Sequence, residues 1–391
     1  MGILLMKEKG KKFFIGFFIP FLYRFFCCFK KVQGKVLLLE IRYDGLSDNL
    51  RLIKKAYDDE GLMITKLFCL KTAQGGFAGY MLRCISMVRQ MADAAFIYVD
   101  ESSDVLAAVP VRKQTVVVQC WHACGAFKRF GHGLKSGISG EYYGPYDLAC
   151  VSSADMVPFY EDAMNQKRGI VRPLGISRTD VFFDEDFIKQ ARSRVNKRIP
   201  GIEDKRIVLY APTFRGNVGN AKGADRPDIA AMKKALGNDW IVLYKEHPSV
   251  ADKMKIRPGQ KSFCIDVSDM PIDILLCVSD VCITDYSSLI FEFSLFDRPI
   301  IFFVPDRNEY EDARGFYHTI EDMDAGDICL NTQELIQALL KRKGAVADQE
   351  TKTRLAAFRK RFMSACDGKA TLRIKEQAAM IYEMKNRKKR T

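Results

Sequence analysis

The most constraining feature of this sequence is a double series of short apolar runs, each of strand length and separated from the next by a helix-length stretch. Five runs, among them TVVVQCW (115–121), lie between residues 36 and 152, and five more, among them VCITD (281–285), lie between residues 206 and 304. This alternation is typical of buried parallel strands in βαβ units. Two such series predict an α/β fold with two doubly wound domains, which also suits a chain of 391 residues.

The polar stretch 184–204 has the composition of a connector between these domains. We expect a first domain over residues 35–187 and a second over 188–345. A terminal segment (1–34) precedes them, and helices with a basic tail (346–391) follow. Ligands of parallel α/β sheets bind at the carboxyl ends of the strands. Functional residues should therefore come directly after the apolar runs.

Positive charge is concentrated at the two ends of the chain. The sequence carries 61 Lys and Arg against 48 Asp and Glu, a net charge of +13; residues 1–35 hold eight cations and one Glu, and residues 384–391 hold five cations and no acid. A nucleic-acid binder would carry a basic stripe over its folded domains, so we expect no nucleic-acid partner. Basic ends beside an apolar segment suit an anionic membrane surface.

That apolar segment is FFIGFFIPFLYRFFCCF (13–29), which is interrupted by Pro20 and Arg24. A complete membrane span needs about 20 apolar residues. The segment is shorter, so we expect an anchor that lies in the membrane interface or re-enters it. A segment buried in the first domain and a cleaved signal peptide are the alternatives, although no small-residue cleavage site follows.

Several familiar chemistries have no motif in the chain. The sequence has no Walker loop, no G-x-G-x-x-G, no H-E-x-x-H and no G-x-S-x-G. The twelve cysteines form no Cys-x-x-Cys pair and many lie in apolar runs, which indicates core thiols in a reducing compartment. We therefore expect no structural zinc, no metal requirement and no cofactor.

A polar turn follows the run VCITD and begins a predicted helix. It presents Thr284, Asp285, Ser287 and Ser288. Backbone N–H groups and hydroxyls at a helix N-terminus form an anion site, so this turn is a candidate for binding a phosphate or diphosphate. Simple capping of the helix is the alternative.

Histidines and cations lie at equivalent places after other strands. His122 follows TVVVQCW, and His247 follows WIVLYKE. Histidine can accept a proton from a hydroxyl at neutral pH, although a lone histidine near a strand is often a core residue. The candidate phosphate-binding cations are Lys128, Arg178, Arg215, Lys245 and Arg314, with solvated surface charge as the alternative.

Five sequence motifs, taken together in their order along the chain, resemble those of a known family. They are WHACGAFKRFG, YAPTFRG, KEHP, DVSDMPIDILLCVSDVCITDYSSLIFEFSLFDRPIIFF and EYEDARGFY. Together they resemble the CDP-glycerol glycerophosphotransferase family of wall teichoic acid synthesis over about residues 115–320. Residues 1–110 match only in general character.

The resemblance implies a GT-B type fold, with two Rossmann-like domains facing a cleft, bound peripherally to the cytoplasmic face of the membrane. It implies an acceptor-side first domain and a CDP-donor-binding second domain. The donor would be CDP-glycerol, with CDP-ribitol as the alternative, and the acceptor a hydroxyl of an undecaprenyl-diphosphate-linked molecule, with release of CMP. His122 and His247 match the family's two histidine motifs, and Thr284, Asp285 and the two serines match its donor-site element.

In this interpretation His122 deprotonates the acceptor hydroxyl. His247, Arg215, Lys245 and the serine turn hold the diphosphate and stabilise the CMP leaving group. The segment Ala123–Lys128 departs from the usual family pattern and is nearer that of short primase-like members. A capsular polymer phosphotransferase, a sugar-transferring GT-B enzyme and a non-catalytic nucleotide-binding scaffold at the membrane remain as alternatives.

Overall fold

The computed structural model describes residues 10–42, 44–71, 76–134, 143–216, 221–248, 250, 254–307, 315–342 and 348–387. The chain forms two compact units. The first comprises Met1–Ala123, Phe130–Asp180 and Ser364–Thr391, and the second comprises Cys124–Arg129 and Val181–Met363.

The first unit is built on a parallel sheet of six strands. These are β1 (Lys35–Glu40), β2 (Ile64–Cys69), β3 (Phe96–Val99), β4 (Val116–Gln119), β5 (Leu148–Cys150) and β6 (Val171–Arg172). Their order is β2-β1-β3-β4-β5-β6. The direction of winding reverses between β1 and β3, where Val36 lies opposite Phe96. The carboxyl ends of β1 and β3 therefore flank the crevice in which a parallel sheet binds its ligand.

The strands β1 and β3 are buried on both faces, as is typical of parallel sheets. The α-helices of the first unit after residue 30 are Asp48–Asp58, Phe77–Met91, Asp104–Ala108, Val157–Ala163 and Ala370–Arg387, and its 3₁₀ turns are Gly131–Gly133 and Ala154–Met156. The helices Asp48–Asp58 and Ala370–Arg387 share one face of the sheet, where Ile53 and Ile374 join a single apolar cluster with the strands. The last helix of the chain thus belongs to the first core.

The second unit is built on another six-stranded parallel sheet. Its strands are β7 (Arg206–Tyr210), β8 (Trp240–Tyr244), β9 (Cys264–Asp266), β10 (Val281–Thr284), β11 (Ile300–Phe303) and β12 (Asp327–Cys329). Their order is β12-β11-β10-β7-β8-β9. Read from β9, this is the order 3-2-1-4-5-6 of a doubly wound dinucleotide-binding fold, and the winding reverses between β7 and β10.

The second unit also has helices along its sheet. The α-helices are Glu185–Arg198, Ile229–Leu236, Ile272–Val278, Leu289–Phe293, Ile320–Met323, Thr332–Leu340 and Gln349–Phe362, and the 3₁₀ turns are Gly237–Asp239, Pro258–Gln260 and Ser294–Phe296. A further 3₁₀ segment, Ser177–Phe183, carries the chain from the first unit to the second. Met232 and Leu335, from two of the helices, pack in one cluster with the strands.

The predicted α/β fold with two parallel sheets is confirmed. All ten predicted strands are present, and β6 and β12 are additional. The division of the chain differs from the predicted boundaries in several respects. The segment Cys124–Arg129 lies within the predicted first domain but belongs to the second unit. The chain enters the second unit after Asp180, and residues 364–391 belong to the first unit. The connector stretch instead forms helix Glu185–Arg198, whose buried Ala191 and Val195 belong to the second unit.

Near the N-terminus, Gly10–Phe29 forms one helix of 20 residues, long and apolar enough by composition to cross a membrane. Ile15, Ile19 and Tyr23 are buried where the helix contacts Phe77–Met91 and Asp104–Ala108. A second stripe of phenylalanines, four residues apart, is between 49% and 76% exposed: Phe13, Phe17, Phe21, Phe25 and Phe29. We call it the phenylalanine stripe. The helix is docked along one side and presents this stripe on another.

Substitution of Gly175 tests how helix Ala370–Arg387 packs in the first unit. Its φ is +88°, and a Cβ there would overlap the carbonyl oxygen of Ala365 and lie 2.7 Å from the Cβ of Ala370. Gly169 has the same φ, +88°, with open space around it. We expect Gly169→Ala to cost about 1 kcal/mol from backbone strain alone. Gly175→Ala should cost about 1–3 kcal/mol more because of overpacking. Urea unfolding of both variants measures the difference, and equal losses would contradict this packing.

Candidate active site

A polar cavity of about 350 Å³ opens in the first unit at the carboxyl ends of β1, β3 and β4. We call it the switch-point cavity, because it lies where the strand order reverses. Its lining includes Glu40, Asp100, Glu101, His122 and Arg178. This is the position at which open parallel sheets bind ligands. Carboxylates, an imidazole and a guanidinium suit a ligand rich in hydroxyl or phosphate groups.

A strained backbone turns His122 into this cavity. Trp121, the residue before it, has a φ of +54°, in the left-handed region that a bulky side chain rarely adopts. Two hydrogen bonds hold the strained residue. Its N–H donates to Gln119 Oε1 at 2.9 Å, and its carbonyl accepts from Asn49 Nδ2 at 2.6 Å. Strain of this kind persists where surrounding contacts fix it, and it is frequent at functional sites.

The hydrogen bonds of His122 determine which ring nitrogen can act as a base. Nδ1 lies 3.2 Å from the carbonyl oxygen of Asp100 and 3.4 Å from Glu101 Oε1. Both of these atoms accept hydrogen bonds, so the neutral imidazole carries its proton on Nδ1. Nε2 then has a lone pair, and 44% of the His122 side chain is exposed. The geometry is that of an oriented general base.

Two ionisable groups of the cavity have shifted pKa values. Desolvation lowers the pKa of His122 below its ordinary 6.5; the hydrogen bond to Asp100 opposes this shift, and Arg42 and Arg178 add to it. Burial raises the pKa of Asp100 to about 6; a hydrogen bond from Ser47 opposes this shift. At neutral pH His122 is therefore largely unprotonated and able to accept a proton.

The carboxylates of this cavity were not among the site residues predicted from the sequence. Glu40, Asp100 and Glu101 are at most 9% exposed. Glu40 is the last residue of β1, and Asp100 and Glu101 directly follow β3. The rule that led to His122, a polar residue directly after an apolar run, would have identified them as well.

In the second unit, Asp285 connects the ends of the two strands at the reversal of winding. Its Oδ1 accepts from the N–H of Thr213 at 2.9 Å, and its Oδ2 accepts from Arg215 Nη1 at 2.8 Å. The hydroxyl of Thr284 donates to the carbonyl of Ala211 at 2.7 Å. Thr284, Asp285 and Arg215 therefore lie close together beside the crevice of this sheet.

Arg215 has two carboxylate partners. Besides Asp285, Asp306 accepts from Arg215 Nε at 2.5 Å and from Nη2 at 3.1 Å. Desolvation disfavours the charged guanidinium, but Asp306 and Asp285 outweigh it, so the pKa of Arg215 lies above its ordinary value. A guanidinium held by two carboxylates adds little net positive charge to the crevice, and its clearest role is to position the loop.

The two serines after β10 differ in their hydrogen bonds. Ser287 Oγ accepts from the N–H of Leu289 at 3.2 Å and thus caps the turn. Ser288 is the N-cap residue of helix Leu289–Phe293 but makes no capping bond with its side chain. The capping alternative therefore holds for Ser287, and Ser288 is the better candidate for donating to a ligand.

The remaining predicted residues have varied settings. Lys245 Nζ donates to the carbonyls of Ser268 and Met270, at 3.1 Å and 2.6 Å, and so supports the loop after β9. The half-buried His247 ring lies 4.7 Å from the ring of Phe214. Lys128 forms a β-bridge with Phe316. Arg314 lies outside the described residues. Across the described residues, no group of three or more His, Cys, Asp or Glu is placed to hold a metal ion.

Comparisons with known proteins find similar sequences over most of this chain. The model of the family "CDP-Glycerol:Poly(glycerophosphate) glycerophosphotransferase" matches residues 21–378. The teichoic acid ribitol-phosphate primase of Bacillus spizizenii is 34% identical over 88% of this chain and 90% of its own. The teichoic acid glycerol-phosphate primase of Bacillus subtilis is 27% identical over 81% of this chain and 85% of its own.

Longer proteins match over part of their length. The ribitol-phosphate polymerase TarL of Staphylococcus aureus is 36% identical over 64% of this chain and 46% of its own.

Among solved structures, the wall teichoic acid polymerase TagF aligns with a TM-score of 0.73 at 19% identity, over 98% of this chain and 97% of that chain. This likeness supports the fold, and the predicted family resemblance is confirmed. The chain belongs to the CDP-glycerol glycerophosphotransferase family.

Proposed function

We propose that this protein transfers a polyol phosphate from a CDP-polyol to a hydroxyl of a lipid-linked acceptor in teichoic acid synthesis. The acceptor oxygen attacks the phosphorus that bears the polyol, the bond from that phosphorus to CMP breaks, and the acceptor proton moves to Nε2 of His122. The single observation that carries this mechanism is the 3.2 Å contact of His122 Nδ1 with the carbonyl oxygen of Asp100, an acceptor that favours the proton on Nδ1 and leaves Nε2 basic in the switch-point cavity.

The two units divide the substrates in this proposal, as in a GT-B enzyme. The first unit holds the acceptor hydroxyl beside His122, where carboxylates can accept hydrogen bonds from other hydroxyls. The second unit binds the CDP group at the reversal between β7 and β10, the position at which this strand order binds nucleotides. Phosphoryl transfer needs positioned donors and charge stabilisation more than covalent help. The candidates for donating hydrogen bonds and stabilising charge are His247, Lys245, Lys128, Arg314 and Ser288.

We infer that the donor polyol is ribitol. The supporting observation is that a ribitol-phosphate primase matches this chain at higher identity, 34% against 27%, than a glycerol-phosphate primase of similar coverage. The family resemblance led us to expect CDP-glycerol, with CDP-ribitol as the alternative. Parallel assays with CDP-ribitol and CDP-glycerol on one lipid-linked acceptor decide between the two, and faster transfer from CDP-glycerol would reverse the assignment.

His122→Ala tests the general base. We expect turnover to fall by about 100-fold or more, the usual contribution of a general base, while calorimetry shows unchanged affinity for the CDP-polyol. Because the pKa of His122 is lowered, the acidic limb of the unmutated enzyme's kcat/KM should lie below pH 6.5.

The matched control is His132→Ala, which removes an exposed histidine of the same unit outside the switch-point cavity. Its turnover should equal that of the unmutated protein. Full activity of His122→Ala would contradict the general-base role. If the unmutated protein binds CDP-polyol but never turns it over, the scaffold alternative is favoured.

Single substitutions of Ser287 and Ser288 test the donor site. Ser288→Ala should weaken CDP-polyol binding by about tenfold through the loss of one hydrogen bond to a charged group, with an unchanged melting temperature. Ser287→Ala should instead cost about 1 kcal/mol of stability, because it removes a turn-capping acceptor. Calorimetric titration and thermal unfolding of both variants separate the roles. Unchanged affinity of Ser288→Ala would remove that serine from the donor site.

We propose that helix Gly10–Phe29 holds the protein at the cytoplasmic face of the membrane. The phenylalanine stripe can bury among lipid headgroups, and nearby cations such as Lys12 and Lys31 can meet anionic lipids at about 1 kcal/mol each. Attachment of this kind weakens with salt. It would keep the enzyme on the surface where an undecaprenyl-diphosphate-linked acceptor resides.

Phe17→Ser combined with Phe21→Ser tests this attachment. We expect binding to phosphatidylglycerol vesicles to weaken by at least about tenfold, since two aromatic side chains no longer leave water. Transfer to a lipid-linked acceptor should slow, and transfer to a short soluble analogue should not. Phe183→Ser, at a residue 48% exposed in the second unit, is the control. Equal loss of both activities would indicate that the helix serves folding instead.

A further inference from the structure

A second, larger cavity lies at the opposite end of the first sheet. It measures about 930 Å³, within the size range of small-ligand sites, about 300–1,000 Å³. Gln114 and Thr115 precede β4, and Asp147 precedes β5, so the cavity lies at the amino ends of these strands. We call it the amino-end groove. It is distinct from the switch-point cavity, because β4 alone rises about 13 Å between the two.

The floor of the amino-end groove is apolar. Val117 and Ile381 are buried, and Met384, on the last helix of the chain, is 56% exposed at the rim. A methionine exposed beside other apolar side chains is an adaptable surface for a flexible hydrocarbon chain.

The groove also has a ring of cations. Its lining contains Arg112, Lys113, Lys385 and Arg387 against one carboxylate, Asp147, which pairs with Lys385 at 2.5 Å. Arg387 also pairs with Glu383 of the same helix at 3.0 Å, so the net positive charge comes chiefly from Arg112 and Lys113. An apolar floor with a strongly cationic rim is complementary to an anion that carries a hydrocarbon chain.

Arg112 connects this groove to the N-terminal helix. Its guanidinium donates to the carbonyl of Lys30 at 2.7 Å and to that of Cys27, and its N–H donates to the hydroxyl of Tyr23 at 3.1 Å. The mouth of the groove is therefore continuous with the end of the helix that carries the phenylalanine stripe.

We propose that the amino-end groove binds one molecule of an anionic phospholipid, phosphatidylglycerol, with an acyl chain along Val117, Ile381 and Met384 and the phosphate among the rim cations. The occupant is not the lipid-linked substrate, because the reacting end of that molecule must reach His122 at the other end of the sheet. The inference rests on the proposed membrane attachment, which supplies the lipid, and adds a specific site to it.

The test uses phosphatidylglycerol with a diazirine-bearing acyl chain, and phosphatidylcholine with the same chain, in vesicles and in mixed detergent micelles. After irradiation of the full-length protein, we expect phosphatidylglycerol to label peptides containing Val111–Val117 and Ile381–Arg387, well above the label from phosphatidylcholine. Met384→Asp should abolish this labelling, and Lys113→Glu should weaken it by about tenfold in lipid titrations.

Leu372→Asp is the matched control, since Leu372 is 50% exposed on the same helix but outside the groove; it should label normally. Melting temperatures confirm that each variant is folded. Equal labelling by the two lipids, or full labelling of Met384→Asp, would overturn the site. Labelling in micelles without vesicle binding would overturn only the membrane attachment, and vesicle binding without groove labelling would overturn only this site.

Discussion

Burial of the parallel strands on both faces decides where chemistry can occur in this molecule. All six residues of β1 and all five of β8 are buried, and a polar group within such a strand would need a buried partner. Polar side chains are therefore concentrated where the strands end. Glu40 ends β1, and Thr284 ends β10. Because the strands are parallel, their carboxyl ends meet at one edge, and each sheet collects its polar residues there without any further signal in the sequence.

Two local structural features then order the polar residues at the strand ends into a site. In the first unit, the left-handed backbone of Trp121, held by Gln119 and Asn49, fixes the direction of the following residue, His122. In the second unit, Asp285 joins the loop after β7 to the loop after β10 through Thr213 and Arg215. Each feature costs free energy, strain in one and burial of charge in the other, and each is stabilised by hydrogen bonds that only the folded chain provides.

Sequence patterns predicted the strands well because a buried parallel strand is recognisable from its own residues. They missed β6 and β12, which have only two and three residues and no separate apolar run. They placed the last helix outside the first core, because the pairing of Ile374 with β1 and β3 depends on a return of the chain that no local pattern shows. Site residues were found by position after a strand. Their partners were not, so the engagement of Arg215 by Asp306 and of Lys245 by two carbonyls could not be predicted.

The distribution of charge has a structural explanation in the first unit. The two basic ends are far apart in sequence, yet Arg112 bonds the carbonyl of Lys30 and lines the same groove as Lys385 and Arg387. Of the described cations at the two ends, Lys30, Lys385 and Arg387 therefore lie near the amino end of one sheet, whereas the carboxylates around His122 lie at its carboxyl end. A parallel sheet keeps these ends apart by the length of its strands. In the proposed function, the cationic end would face anionic lipid while the cavity beside His122 stays open to substrate hydroxyls.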